Sequence, residues 1–221
     1  MLFIYTLERM WRYLLMLLFC GQLVGQTGPA NRVYFPSVSL DEDSHSSDVK
    51  KKWYSEALRA LDEPSLASEP AGSASNESYR FLWLRSFHHP IAIRIDINND
   101  GTSRLTTKVS DGKGGYELGK LIVNRKRRLT KEQTSWFLDR VKELGFWDLP
   151  AYEKQTEETG PNGEKTVIVT LDGAQWIFEG IKDKKYHVVN RWSPANGAIH
   201  ALGIVMLIDL ANLKLLYQDV Y

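Results

Sequence analysis

From Ile91 to Ile97 the sequence runs I-A-I-R-I-D-I, with isoleucine at every odd position and a small or charged residue between. Successive side chains of a strand point to opposite faces, so this run suits a strand with one apolar and one polar face. Asn98-Asn99-Asp100-Gly101 then supplies turn residues, and Arg104 to Val109 resumes the alternation with Leu105, Thr107 and Val109 inward. The two runs predict an antiparallel hairpin, and because a lone hairpin is marginal in water the chain must add strands or a covering helix.

The additions follow in order. A glycine-rich break at Asp111 to Gly115 precedes a third strand over Lys120 to Arg128. Thr130 opens a helix with Gln133 three residues on as a capping box, and Gly145 closes it after Leu144. Its buried face is Phe137, Val141 and Leu144, with Trp136 alongside. Beyond a loop at Glu153 to Glu164, strand signals occur at Thr166 to Leu171, Ala174 to Ile181 and Tyr186 to Trp192. Ser193 as N-cap and Pro194 at the first helical position predict a last, strongly apolar helix at about Ala198 to Tyr217. Three strands and a helix, twice over, imply an α+β fold: an antiparallel sheet of about six strands with two helices packed on one face, preceded by a short helix and a disordered spacer.

That domain occupies residues 79–221, long enough for one core. Residues 27–78 are richer in Ser, Pro, Asp and Glu and read as a polar low-complexity spacer. Within it, Val49, Trp53, Ala57 and Leu61 recur at four-residue steps, predicting a short helix over Asp48 to Leu61 ended by Pro64. An isolated helix of that length is marginal in water, which favours packing on the domain over docking to a partner.

Residues 1–26 place Arg9 and Arg12 ahead of an apolar run from Tyr13 to Phe19, the layout of a secretory signal peptide. A start at Met10 would give the conventional form, an uncleaved anchor over residues 10–26 is the alternative, and Phe19 before Cys20 speaks against a lipoprotein. The expected location is therefore periplasmic or secreted, with any membrane contact made only through an uncleaved N-terminal segment. Cys20 is the only cysteine, so a chain without this segment has no disulfide, thiolate zinc site or cysteine nucleophile.

The chain carries a net charge of +1 and residues 79–221 carry +4, too little basic excess for a nucleic-acid partner. Arg125, Lys126, Arg127 and Arg128, flanked by Lys120 and Lys131, form one concentrated patch. It is readable as an anion site or as an edge strand protected by charge. Asp96, Asn98 and Asp100 before Gly101 match the opening of a calcium loop. Thr107 stands where the bidentate glutamate belongs and the flanks are strand-like, so a hairpin turn is expected there. His88 and His89 are adjacent on an extended segment and point opposite ways, which keeps them from one metal.

Trp176, His187 and Arg191 are the densest chemical set. A turn centred on Asp183-Lys184 puts Gly180 opposite His187, Phe178 opposite Val189 and Trp176 opposite Arg191. All three then share a face, with a cross-strand cation–π contact between Arg191 and Trp176, while Glu179 points to the other face. No G-x-S-x-G, P-loop or G-x-G-x-x-G is present, so neither catalytic residues nor a cofactor or resident metal is expected.

The segments Tyr79-Arg80-Phe81-Leu82-Trp83-Leu84-Arg85, Gly145-Phe146-Trp147-Asp148-Leu149-Pro150, Leu171-Asp172-Gly173-Ala174-Gln175-Trp176 with Glu179-Gly180, and Tyr186-His187-Val188-Val189-Asn190-Arg191-Trp192-Ser193-Pro194 together resemble a family of uncharacterised exported bacterial proteins over residues 79–217. The resemblance implies a bacterial, extracytoplasmic setting and carries no catalytic residue. The resulting expectation is a non-enzymatic interaction domain that binds another envelope protein or a surface polymer. The rival is a periplasmic hydrolase or small-ligand binder with a pocket near His187 and Arg191.

Overall fold

Ile91–Asn98 (β2) and Ser103–Ser110 (β3) form the expected hairpin, with Ile95 opposite Leu105. The computed structural model describes residues 33–68, 75–154, 157–159, 165–167, 172–216 and 219–221. The chain divides into Met1–Asn31 and Arg32–Tyr221; the first unit, which holds the expected signal segment, lies outside the described residues.

The hairpin belongs to a six-stranded antiparallel sheet that also contains β1 (Ser75–Arg85), β4 (Leu121–Leu129), β7 (Ala174–Lys182) and β8 (Lys185–Trp192), in the order β4-β3-β2-β1-β7-β8. The α+β class and the number of strands are as the sequence predicts, with one exchange of members. β1, unassigned by periodicity, is central, whereas the expected strand at 166–171 is represented by β6 (Lys165–Val167), which pairs with β5 (Glu157–Thr159) in a separate two-stranded sheet; residues 168–171 lie outside the described residues.

One sheet face carries Tyr79, Phe81, Trp83, Ile91, Ile93, Ile95, Trp176, Phe178 and Val189. It is covered by α2 (Lys131–Glu143) and by a last helix, α3 (Gly197–Ile204), continued by a π-helical turn at Val205–Leu210. The capping box forms as read: the Thr130 side chain accepts from the Gln133 amide and the Gln133 side chain accepts from the Thr130 amide. The start of α3 differs from expectation. Ser193 has φ 39 and lies before the helix, and Asn196 occupies the N-cap.

The second face is covered by α1 (Ser44–Ala60) and the segments around it. Tyr34, Phe35, Leu40, Tyr54, Leu58 and Leu61 pack with Leu82, Leu84, Ala92, Ile177 and Val188 of the sheet. Residues 33–68, read from composition as spacer, are thus folded onto the sheet, because Tyr34, Phe35 and Tyr54 supply the apolar area that the Ser and Glu content conceals. The helix is also rotated from the expected stripe: Tyr54, Ala57 and Leu58 face inward while Val49 is exposed.

Candidate functional site

The β7–β8 register is as the sequence predicts, with Gly180 opposite His187 and Trp176 opposite Arg191. The cation–π contact does not form. Trp176 is fully buried, stacks on His200 with ring centroids 5.6 Å apart, and donates its indole N–H to the Tyr221 main-chain oxygen at 2.8 Å. Arg191 turns away to the carbonyls of Pro150 (3.1 Å) and Asn190 (2.8 Å), and its Nε pairs with Glu153 at 3.0 Å. Backbone carbonyls compete successfully for a buried guanidinium because its five donors seek oxygen in a fixed fork. His187 packs edge-on against Phe146 at 5.1 Å, and its Nε2 has no hydrogen-bond partner among the described residues. Burial pushes its pKa down. The set therefore shares a face without converging on an open site.

The calcium-like turn is an ordinary hairpin turn. Asp96 is drawn onto the second sheet face by Arg94 and Ser78, while Asn98 and Asp100 bond Thr102 across the turn. No cluster of three or more His, Cys, Asp or Glu suited to a metal occurs among the described residues. The basic patch is divided by the pleat: Arg125 and Arg127 reach the Ala211 and Leu210 carbonyls at the end of the π-helical turn, and Lys126 and Arg128 are exposed.

Charged groups do converge, but inside the fold. Glu63, in the turn after α1, meets Arg94 at 2.9 Å, Lys108 at 3.3 Å and Arg80 at 3.4 Å. Arg80 also pairs with Glu179 at 2.6 Å, and Tyr186 donates to Glu179 at 2.9 Å. Burial pushes the Glu63 carboxyl up, but Arg94, Arg80 and Lys108 together hold it below the usual range. Glu179, whose burial outweighs its single cation Arg80, is pushed up instead. A balanced, closed network of this kind fixes one arrangement of chain segments and offers no access to substrate.

An open cleft lies on the other face. A cleft of about 370 Å³ runs between α2, the 3-10 turn Phe146–Asp148 and the ends of β1 and β7. Its walls are Leu138, Val141, Phe146 and Trp147, its rim is Asp139, Lys142 and Asp148, and Glu77, Tyr79 and Lys182 line it from the sheet. Two sequence choices open it. Gly180 has no Cβ, and one there would stand 2.6 Å from Phe146, so only glycine lets Phe146 and Trp147 settle on the strand. Gly145, with φ 64, turns the chain sharply out of α2 into the 3-10 turn.

A chain of polar contacts crosses the cleft. The Trp147 ring packs edge-on against the Tyr79 ring, with centroids 6.0 Å apart. The Tyr79 hydroxyl donates to Glu77 at 2.5 Å, and Lys182 pairs with both Glu77 oxygens at 3.3 Å. Glu77 and Lys182 are direct cross-strand partners, so the sheet register sets this ion pair. Burial, then Glu77, pushes the Tyr79 hydroxyl well above its usual range, which keeps it a donor. Sequence reasoning missed all four residues; Glu77 fell in the supposed spacer, Lys182 lay in no segment singled out, and only the Gly145 to Pro150 and Tyr79 to Arg85 segments of the resemblance touched Trp147 and Tyr79.

No helix among the described residues is long and apolar enough to cross a membrane. No family model, curated protein or solved structure matches the chain.

Proposed function

We propose that this chain is an exported bacterial domain that binds a partner of the cell envelope without transforming it, and that the Trp147 cleft is the binding site. The observation that carries this reading is the Tyr79–Glu77–Lys182 chain of polar contacts beside Trp147 and an apolar wall. A general acid or base works best when its pKa lies near the operating pH. Tyr79, held protonated, suits recognition. An apolar cleft with a few positioned polar groups is the usual form of a binding site. Export is supported by the signal-like residues 1–26 and by the family resemblance of residues 79–217.

The test places a photo-crosslinking residue at the exposed position Lys142 of the full chain, expressed in a bacterial host. A discrete envelope adduct is expected, and it should disappear when Trp147→Ala is added. Fractionation and N-terminal sequencing of the same protein check export. An adduct indifferent to Trp147→Ala, or a protein retained in the cytoplasm, overturns the proposal.

A further inference from the structure

Resting on that reading of the cleft, we infer that it receives the side chain of an arginine or lysine from a partner polypeptide, with Glu77 as the carboxylate it meets. Such side chains combine an aliphatic stem with a charged head, and they bury the stem along apolar surface while the head finds polar company. The cleft has the same division. Leu138, Val141 and Phe146 offer a wall for the stem, and Glu77 on the sheet side offers a carboxylate for the head.

Glu77 has capacity to spare. A carboxylate has about four lone-pair positions, and the described contacts to Glu77 are the Tyr79 hydroxyl and the Lys182 ammonium. Its side chain is 12% exposed and therefore reachable, whereas Lys182 is 49% exposed and free to swing toward solvent when a second cation enters. Further negative charge stands nearby. Asp139 and Asp148 stand exposed on the rim, and the cleft follows the C-terminal half of α2, the negative end of the helix dipole. The Trp147 ring already has the Lys185 ammonium 5.8 Å from its centroid, so its π-face accepts a cation in this fold. Lys142 on the rim, Lys182 on the sheet and Lys185 beside Trp147 are the opposing charges.

The Trp147 indole N–H reports on the site, because its ring lines the cleft and packs edge-on against Tyr79, whose hydroxyl donates to Glu77. Its resonance in a 1H–15N spectrum of the full chain is followed during titration with N-acetyl-arginine amide and N-acetyl-lysine amide. N-acetyl-citrulline amide serves as the neutral isostere, N-acetyl-glutamate amide as the anion, and a neutral disaccharide as an unrelated probe. The basic probes are expected to shift the Trp147 signal saturably and at least ten-fold more tightly than citrulline. Glu77→Gln, which keeps the shape of the side chain, should remove that preference. Asp139→Asn with Asp148→Asn, both exposed and so compatible with folding, should weaken the basic probes several-fold. Equal binding of citrulline and arginine, or wild-type affinity in both variants, overturns the inference. If the disaccharide alone shifts Trp147, the cleft still binds and only the basic side chain is lost. If no probe shifts it, both readings fall.

Discussion

Glu63, 1% exposed, accepts the Arg94 Nε–H at 2.9 Å. Lys108 and Arg80 approach the same carboxylate at 3.3 and 3.4 Å, so one acid of the α1 segment is met by cations from β1, β2 and β3. Removing one partner of a buried ion pair leaves uncompensated charge, at a cost of about 3–5 kcal/mol. Glu63→Ala is therefore expected to lower the unfolding free energy by that order, read as a lower urea midpoint with the slope unchanged. A midpoint equal to wild type would show that the network does not pin the segment to the sheet.

The same carboxylate gives the protein an acid limb. Its pKa is lowered in the fold by Arg94, Arg80 and Lys108 against the push of burial, so at low pH the unfolded chain binds more protons at this position than the folded one. The stability it contributes is complete above about pH 5 and falls away as the pH drops below about 4.3 and on through the lowered folded value. Denaturant melts across pH 3 to 6 should show a shallower acid decline for Glu63→Gln than for wild type. Parallel curves would remove Glu63 as its source.

At the alkaline end the sign reverses. Tyr54, Tyr79 and Tyr186 all have hydroxyls pushed upward, first by burial and, for Tyr79 and Tyr186, also by Glu77 and Glu179. The folded state holds these protons, so the stability they contribute is full below about pH 10 and is lost as the pH rises beyond it. Tyrosinate absorbance should therefore leave at least these three of the ten tyrosines un-ionised until the chain unfolds. Smooth ionisation of all ten with the far-UV signal intact would contradict this.

What the sequence disclosed was what local spacing controls. The β2–β3 hairpin, the Thr130–Gln133 capping box and the β7–β8 register each depend on residues within one turn or one hairpin. β1 was not legible because both its faces are buried: Tyr79, Phe81 and Trp83 on one side and Leu82 and Leu84 on the other erase the alternation, with Arg80 interrupting the run. Arg80 makes sense only beside Glu63 and Glu179, the second of them 99 residues away. The cleft was hidden for the same reason, since Glu77 and Lys182 are 105 residues apart and meet only through strand pairing.

Gly203 of α3 should resist the substitution that usually improves a helix. An added Cβ would lie 2.0 Å from Trp176, whose ring is held by the Tyr221 main-chain oxygen and by His200. Glycine to alanine in a helix ordinarily gains about 1 kcal/mol, whereas overpacking costs about 1–3 kcal/mol. Gly203→Ala is expected to lower the melting temperature, and adding Trp176→Phe should recover part of the loss because the two changes share one contact. A more stable Gly203→Ala protein would mean that the indole yields freely.

The run from Arg125 to Arg128 should separate by parity. Arg127 donates to the Leu210 carbonyl through Nε at 3.2 Å and to Gln133 Oε1 at 3.2 Å, joining the end of the π-helical turn to the start of α2. Arg125 reaches the next carbonyl, Ala211. Carbonyls at a helix end lack intrahelical donors, and a hydrogen bond from a charged group to one of them contributes about 1.5–3 kcal/mol. Arg127→Ala should cost that order in denaturant melts. Lys126→Ala and Arg128→Ala, exposed on the opposite face, should stay within about 0.5 kcal/mol of wild type. Equal losses at all four positions would mean that net charge on the edge strand, and not the bonds to Leu210 and Ala211, accounts for the cluster.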